Sequence, residues 1–265
     1  MRIVEEFVLS KMANKMHCED GIYYDDNFVV LIDGVTSKTN LLYKDKKSGE
    51  IAKDVIINEF NKLRYDCDKD EAIYTLNDAL LQEMNRLGIF EEEYTQWLRA
   101  SVVIYSNYYK EIWRYGDCQY MINGNVSRNI KEVDEALANI RSLVNQLYDI
   151  NPRVEDMGRK FIFPLLIQQL KFENEDSKYG YPVLNGYSKK LLPIECVKVS
   201  EGDEIVFASD GYPNLKDTLE KSEAELKKML ELDPSCYIIN KQTKGIVDEQ
   251  VSFDDRSYIK FIVNQ

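Results

Sequence analysis

Phe28-Val-Val-Leu-Ile-Asp-Gly34 is the stretch whose reading decides the fold. Its first five residues are apolar and mostly β-branched, too short a run for a core helix and of the right length for a buried strand. The strand stops abruptly at Asp33-Gly34. Beyond it, apolar residues recur at three- and four-residue steps: Ile51, Val55, Ile56, Phe60 and Leu63, then Ile73, Leu76, Leu80 and Met84. That is the spacing of two amphipathic helices. Between 101 and 123 the period becomes strand-like, in Ser101–Tyr105, Glu111–Tyr115 and Gln119–Ile122, with Asn107–Lys110 as a hairpin turn. A helical region runs from about Lys131 to Leu170, broken at Pro152. Cys196–Val199 and Glu204–Ala208 read as strands around Gly202-Asp203, Ser222–Leu232 as a helix, and Tyr258–Val263 as a last strand. Strands in groups, with long helices between the groups, imply an α+β sandwich with helices outside, in one domain over 1–265.

Four of these strands carry an acid at one end: Asp33, Asp117, Asp210 and Asp254. An aspartate beside a buried strand is costly unless it is paired or bound to a cation. Asp-Gly is also an ordinary turn pair, and a single instance would be read as no more than that. Two that close apolar strands, Asp33-Gly34 and Asp210-Gly211, with two further acids in place, point to a shared cleft. Oxygen-only ligands of this kind suit Mg2+ or Mn2+.

The composition narrows the alternatives. The 46 acids against 34 bases leave a formal charge of -12. Such an excess repels phosphate backbones and anionic lipid, so neither nucleic acid nor membrane is expected as a partner. The five cysteines form no C-x-x-C pair and suit a reducing, cytoplasmic setting. No apolar run approaches the ~18–20 residues of a membrane span. The N-terminal residues carry acids where a signal peptide needs an apolar core. His17 is the only histidine, which removes a His-rich binuclear site. No cysteine has an arginine six positions later, and there is no G-x-x-x-x-G-K-[ST] loop. Asp66-x-Asp68-x-Asp70 starts like a calcium loop but continues with Glu71 and Asn77 at the glycine and glutamate positions, and reads as a solvated loop.

The motifs, taken in order, resemble the PP2C (PPM) family of metal-dependent serine/threonine phosphatases, as a divergent, bacterial-type member. Cys18-Glu-Asp-Gly21 and Phe28–Gly34 look like the family's opening. Gly49-Glu-Ile-Ala52 resembles the start of its first helix, and Tyr115-Gly-Asp-Cys118 its Gly-Asp-Ser segment. Val206-Phe-Ala-Ser-Asp-Gly211 is close to its Ala-Ser-Asp-Gly motif, and Asp254-Asp-Arg-Ser257 resembles its closing Asp-Asn-x-Thr/Ser.

The resemblance implies a four-layer αββα sandwich of two mainly antiparallel sheets flanked by pairs of helices, with a cap within 130–190. It implies two Mn2+ or Mg2+ ions, with Asp33 bridging them, the Gly34 carbonyl on the first, and Asp210 and Asp254 on the second. Asp117 matches an acid linked to a third, weaker metal. Glu19 and Asp20 would orient metal-bound waters, one of which attacks the phosphate in line. The substrate would be a phosphorylated protein or a small phosphate ester. Three positions depart from the family: Lys15 stands where it has a phosphate-binding arginine, Val35 where many members have histidine, and Asn214 where it has an aspartate. Lysine keeps the charge and loses the bidentate fork. These departures motivate an alternative, a regulatory module with little or no turnover.

Overall fold

The computed structural model describes residues 1–13, 17–39, 41–43, 45–247 and 249–264. Its strands are β1 (Arg2–Leu9), β2 (Asp20–Tyr24), β3 (Phe28–Gly34), β4 (Ala100–Ser106), β5 (Glu111–Tyr115), β6 (Gln119–Ile122), β7 (Asn125–Ser127), β8 (Glu195–Lys198), β9 (Glu204–Ala208) and β10 (Arg256–Ile262). Its α-helices are α1 (Ser48–Phe60), α2 (Lys69–Leu87), α3 (Glu132–Tyr148), α4 (Met157–Gln168) and α5 (Leu219–Leu232). The strands form two five-stranded sheets, ordered β2-β3-β4-β5-β8 and β1-β10-β9-β6-β7. Every pairing is antiparallel.

The unbroken apolar run in β3 has a simple cause. Successive side chains of a strand point to opposite faces, and both faces of β3 are covered. Phe28, Val30 and Ile32 pack with Ile56 and Phe60 of α1 and Ile73, Leu76 and Leu80 of α2. Val29 and Leu31 pack between the sheets with Ile205, Phe207, Ile259 and Phe261. In β4, Val102 and Ile104 face the helices while Val103 and Tyr105 face the other sheet. The outer face of the second sheet, with Val206, Ala208 and Tyr258, is covered by Leu226 and Met229 of α5 and by Cys236 and Phe253 of the connection that follows. One helix and a long connection therefore do on this side what α1 and α2 do on the other. The layers are αββα.

The segment expected to be helical around Pro152 resolves into two helices whose boundary lies at Asp156. That residue caps α4, its carboxylate accepting from Arg159 N at 2.7 Å. α3 and α4 pack on each other with Tyr181 and Val183 in a small core of their own. Three strands escaped the periodicity: β1, β2 and the short β7. β1 and β2 are sheet edges, and an edge with polar residues lacks the apolar density that marks a central strand. Asp68 is the N-cap of α2 and accepts from Glu71 N at 2.8 Å, so the stretch read as a solvated loop over 66–70 is a loop only up to Asp68, with Asp70 in the first turn of α2. No helix among the described residues is long and apolar enough to cross a membrane.

Candidate functional site

Strand register brings the acids together. β2 and β3 pair with Asp20 directly opposite Asp33, and Asp33 lies opposite Ser101 of β4. Ser101 Oγ donates to Asp117, just past β5, at 2.5 Å. From the second sheet, Asp210 follows β9 and Asp254 precedes β10, neighbours paired through Ala208 and Tyr258. Asp20, Asp33, Gly34, Asp117, Asp210 and Asp254 line one cavity of about 880 Å3, with Glu19 beside them. Lys15 falls outside the described residues.

Glycine makes one corner of this cavity. A Cβ on Gly34 would fall 2.2 Å from the Gly49 carbonyl oxygen and 2.7 Å from that of Glu19. A Cβ on Gly49 would fall 2.4 Å from Glu19 Oε1. Only two glycines let the first turn of α1 stand against the end of β3, which explains Gly49 in physical terms.

The acids differ sharply in their neutralisation. Asp33 and Asp210 have no ion pair or side-chain hydrogen bond among the described residues. Burial, then Asp20, Asp210, Asp117 and Asp254, push the Asp33 carboxyl well above the usual carboxylate range. Asp210 opens onto the cavity rather than into the core. Enclosure by the cavity walls, then Asp254 and Asp117, still push its carboxyl upward. Asp20 is raised to about 7 by burial and by Asp255, although Ser257 Oγ donates to it at 2.8 Å. Glu19 is raised by burial. Its Oε2 accepts from Thr36 Oγ1 and from Lys11 Nζ at 3.5 Å, whereas its buried Oε1 has no partner.

Asp254 and Asp117 go the other way. Burial would raise Asp254, but Lys244 and Lys11 hold it down at about 2. Lys11 Nζ lies 3.4 Å from Asp254 and 3.5 Å from Asp255, and Lys244 pairs with Asp254 from the other side. Asp117 is likewise pulled down against burial by Lys131, at 2.5 Å. Sequence reasoning missed all three lysines. It also missed Asp255, which accepts from Glu19 N at 2.7 Å and Lys11 N at 2.9 Å and so fixes the Glu19-Asp20 segment. Asp255 was within reach, as the residue at the asparagine position of the closing motif.

Lys244 is delivered by a built connection, residues 233–247. Asp233 accepts backbone N–H groups from Tyr237 at 3.3 Å and from Ile238 and Ile239 at 2.8 Å. The fully buried Arg141 of α3 donates to the carbonyls of Ser235, Cys236 and Gln242, each at 2.8 Å. Arg159 of α4 donates to the Thr243 carbonyl at 2.8 Å.

As placed, no three His, Cys, Asp or Glu side chains among the described residues converge at the spacing of a metal cage. The residues nevertheless fit a hard divalent cation. The donors are all oxygen, two carboxylates have no direct ion pair among the described residues, and the buried Glu19 Oε1 lacks a donor.

No family model matches the chain, and no curated protein sequence matches it. Solved structures do. The serine/threonine phosphatase PstP/Ppp of Mycobacterium tuberculosis superimposes with a TM-score of 0.50 at 13% identity, over 99% of this chain and 100% of that one. The PPM Ser-Thr phosphatase MsPP of Mycobacterium smegmatis, in complex with cacodylate, gives 0.51 at 10% identity over 100% of both chains. The catalytic domain of PstP in complex with two manganese ions gives 0.50 at 12% identity, again over 100% of both. The two antiparallel sheets, their helices and the full-length superposition together mean that this chain has the fold of the bacterial PPM serine/threonine phosphatases, the fold its motif order implies.

Proposed function

We propose that this chain is a metal-dependent phosphatase acting on phosphoserine and phosphothreonine esters. The observation that carries the reading is the pair Asp33 and Asp210. They come from different sheets, line one cavity, have no ion pair or side-chain hydrogen bond among the described residues, and are both raised despite Lys244 and Lys131 acting on Asp210. Asp33, the Gly34 carbonyl, Asp210 and Asp254 would hold two Mn2+ or Mg2+ ions, and Asp117 a third, weaker one. The same fold carries two manganese ions in the PstP catalytic domain. When bound, the ions supply an acidified water and neutralise phosphate charge.

The chain's own residues do the positioning. Thr36 and Lys11 hold Oε2 of Glu19, which leaves Oε1 as a fixed acceptor for a water proton. Asp20, braced by Ser257, adds a second acceptor opposite Asp33. Lys15 is proposed to meet the phosphate. Val35 provides no proton donor, so the leaving oxygen takes its proton from water. The α3–α4 pair, within 130–190, is proposed as the cap that selects the substrate. Hydrolysis of p-nitrophenyl phosphate and of phosphopeptides with Mn2+, abolished by EDTA, is the expected result. Absence of turnover from metal-replete protein would sink the reading.

The lysines on Asp117 and Asp254 favour a second reading, a binding module with weak metal affinity and no turnover. They also give a prediction. Lys244 is a tethered ammonium in competition with a divalent ion for Asp254. Lys244→Ala is expected to tighten Mn2+ binding about two- to fivefold by calorimetry, the worth of one partly exposed ion pair. Unchanged or weaker binding would show that Lys244 does not compete.

A further inference from the structure

The cavity has a set of residues that this chemistry leaves unused. Lys38, in the connection between β3 and α1, and Arg159 of α4 both line it. Their basic neighbours are matched with acids: Lys131 with Asp117, Lys244 with Asp254, and Arg141 with Asp156. Lys38 and Arg159 are not. Among the described residues Lys38 Nζ has no ion pair or hydrogen bond, and the Arg159 guanidinium has only the Thr243 carbonyl. In a chain with 46 acids to 34 bases, two cavity-lining cations with no carboxylate in direct contact among the described residues stand out, with Asp134, Asp156 and Asp254 acting on them only from further off.

Arg159 acts on Lys38. Burial, then Arg159, Lys244 and Lys131, push the Lys38 ammonium down to about 8 against the pull of Asp134. Burial, then Arg141, lowers Arg159 against Asp156, Asp134 and Asp254. Enclosed like charges are stabilised by an anion, and a guanidinium beside an ammonium matches a tetrahedral oxyanion.

We propose that Lys38 and Arg159 form an oxyanion subsite that grips the phosphoryl group of the substrate, beside the carboxylates of the same cavity. The proposal deepens the phosphatase reading and rests on it for the identity of the ligand. It gives the chain back a guanidinium for phosphate where Lys15 stands in the arginine position.

The test uses full-length, Mn2+-loaded protein, with inorganic phosphate as probe in calorimetry and p-nitrophenyl phosphate in steady-state kinetics. Lys38→Gln and Arg159→Gln are each expected to weaken phosphate binding about 10-fold or more, the worth of one charge-assisted hydrogen bond. KM should rise by a similar factor, with kcat changed less and Mn2+ affinity unchanged. Lys38→Arg should restore most of the phosphate affinity. Among the described residues Lys38 has no hydrogen-bond or ion-pair partner to lose, so Lys38→Gln remains informative if Arg159→Gln loosens the Thr243 connection. Phosphate affinity and KM unchanged in Lys38→Gln would overturn the proposal. Phosphate binding that depends on Lys38 in a protein without turnover would support the subsite while overturning the phosphatase reading.

Discussion

Asp33→Asn is expected to lower Mn2+-dependent turnover about 1,000-fold while making the ion-free protein more stable. The two effects share one cause. Asp33 lies opposite Asp20 in the β2–β3 register, and its carboxyl is raised by burial, then by Asp20, Asp210, Asp117 and Asp254. An acid whose carboxyl is raised on folding costs stability once it ionises, so the cost is present above its folded titration point and absent below the unfolded one. Asparagine carries no charge at any pH and removes that repulsion. The gain should be about 1 kcal/mol, or about 2–4 °C in Tm for a chain of this size. The same neutralisation removes the carboxylate proposed to reach both ions, and losing one preorganised electrostatic contact at a reacting centre costs up to about 1,000-fold. Mn2+ should then raise the Tm of the wild type and leave that of the variant nearly unchanged. Scanning calorimetry in EDTA and in Mn2+, beside kcat, separates these effects. Turnover within tenfold of wild type would remove Asp33 from the centre of the site. A lower ion-free Tm would mean that its charge is compensated in a way the geometry does not show.

Arg141→Ala should produce the largest loss of stability of any single polar change in the chain. The guanidinium is fully buried and makes five hydrogen bonds: two to Asp156, at 2.6 and 2.9 Å, and three to backbone carbonyls of the 233–247 connection. Its removal leaves Asp156 with one partner fewer, the Ser235 and Gln242 carbonyls without a donor, and the Cys236 carbonyl with only Gln242 N, at 2.9 Å. Breaking a buried pair of this kind costs about 3–5 kcal/mol, or about 10 °C in Tm here. The damage should be local first. The connection that carries Lys244 is tied to α3 and α4 chiefly through Arg141 and Arg159, so limited proteolysis should cut within 233–247 before the sheets unfold. Arg141→Lys, which cannot span three carbonyls and a carboxylate, should recover only part of the loss. A Tm drop under about 3 °C, with no new cleavage in this segment, would contradict the account.

The two cases mark where sequence reading stops. β3 was legible because its apolar run is a local consequence of being covered on both faces, and Asp33-Gly34 because an acid there stands out against it. The helical periods of α1 and α2 were legible for the same reason: the partners lie within four residues. β1 and β2 were not legible, because an edge strand leaves one side unpaired and tolerates polar residues.

What the sequence by itself determined was the fold and the four strand-end aspartates, since burial and turn chemistry are written in neighbouring residues and in the order of the motifs. Tertiary structure alone decided how those aspartates are neutralised. Lys11 meets Asp254 across 243 positions of chain. Lys244 reaches the same carboxylate from a connection that Arg141 and Arg159 fasten to α3 and α4. Lys38 and Arg159 come to line one cavity from segments far apart in the chain. No local pattern encodes such encounters, because the free energy of a charge depends on which charges folding places beside it.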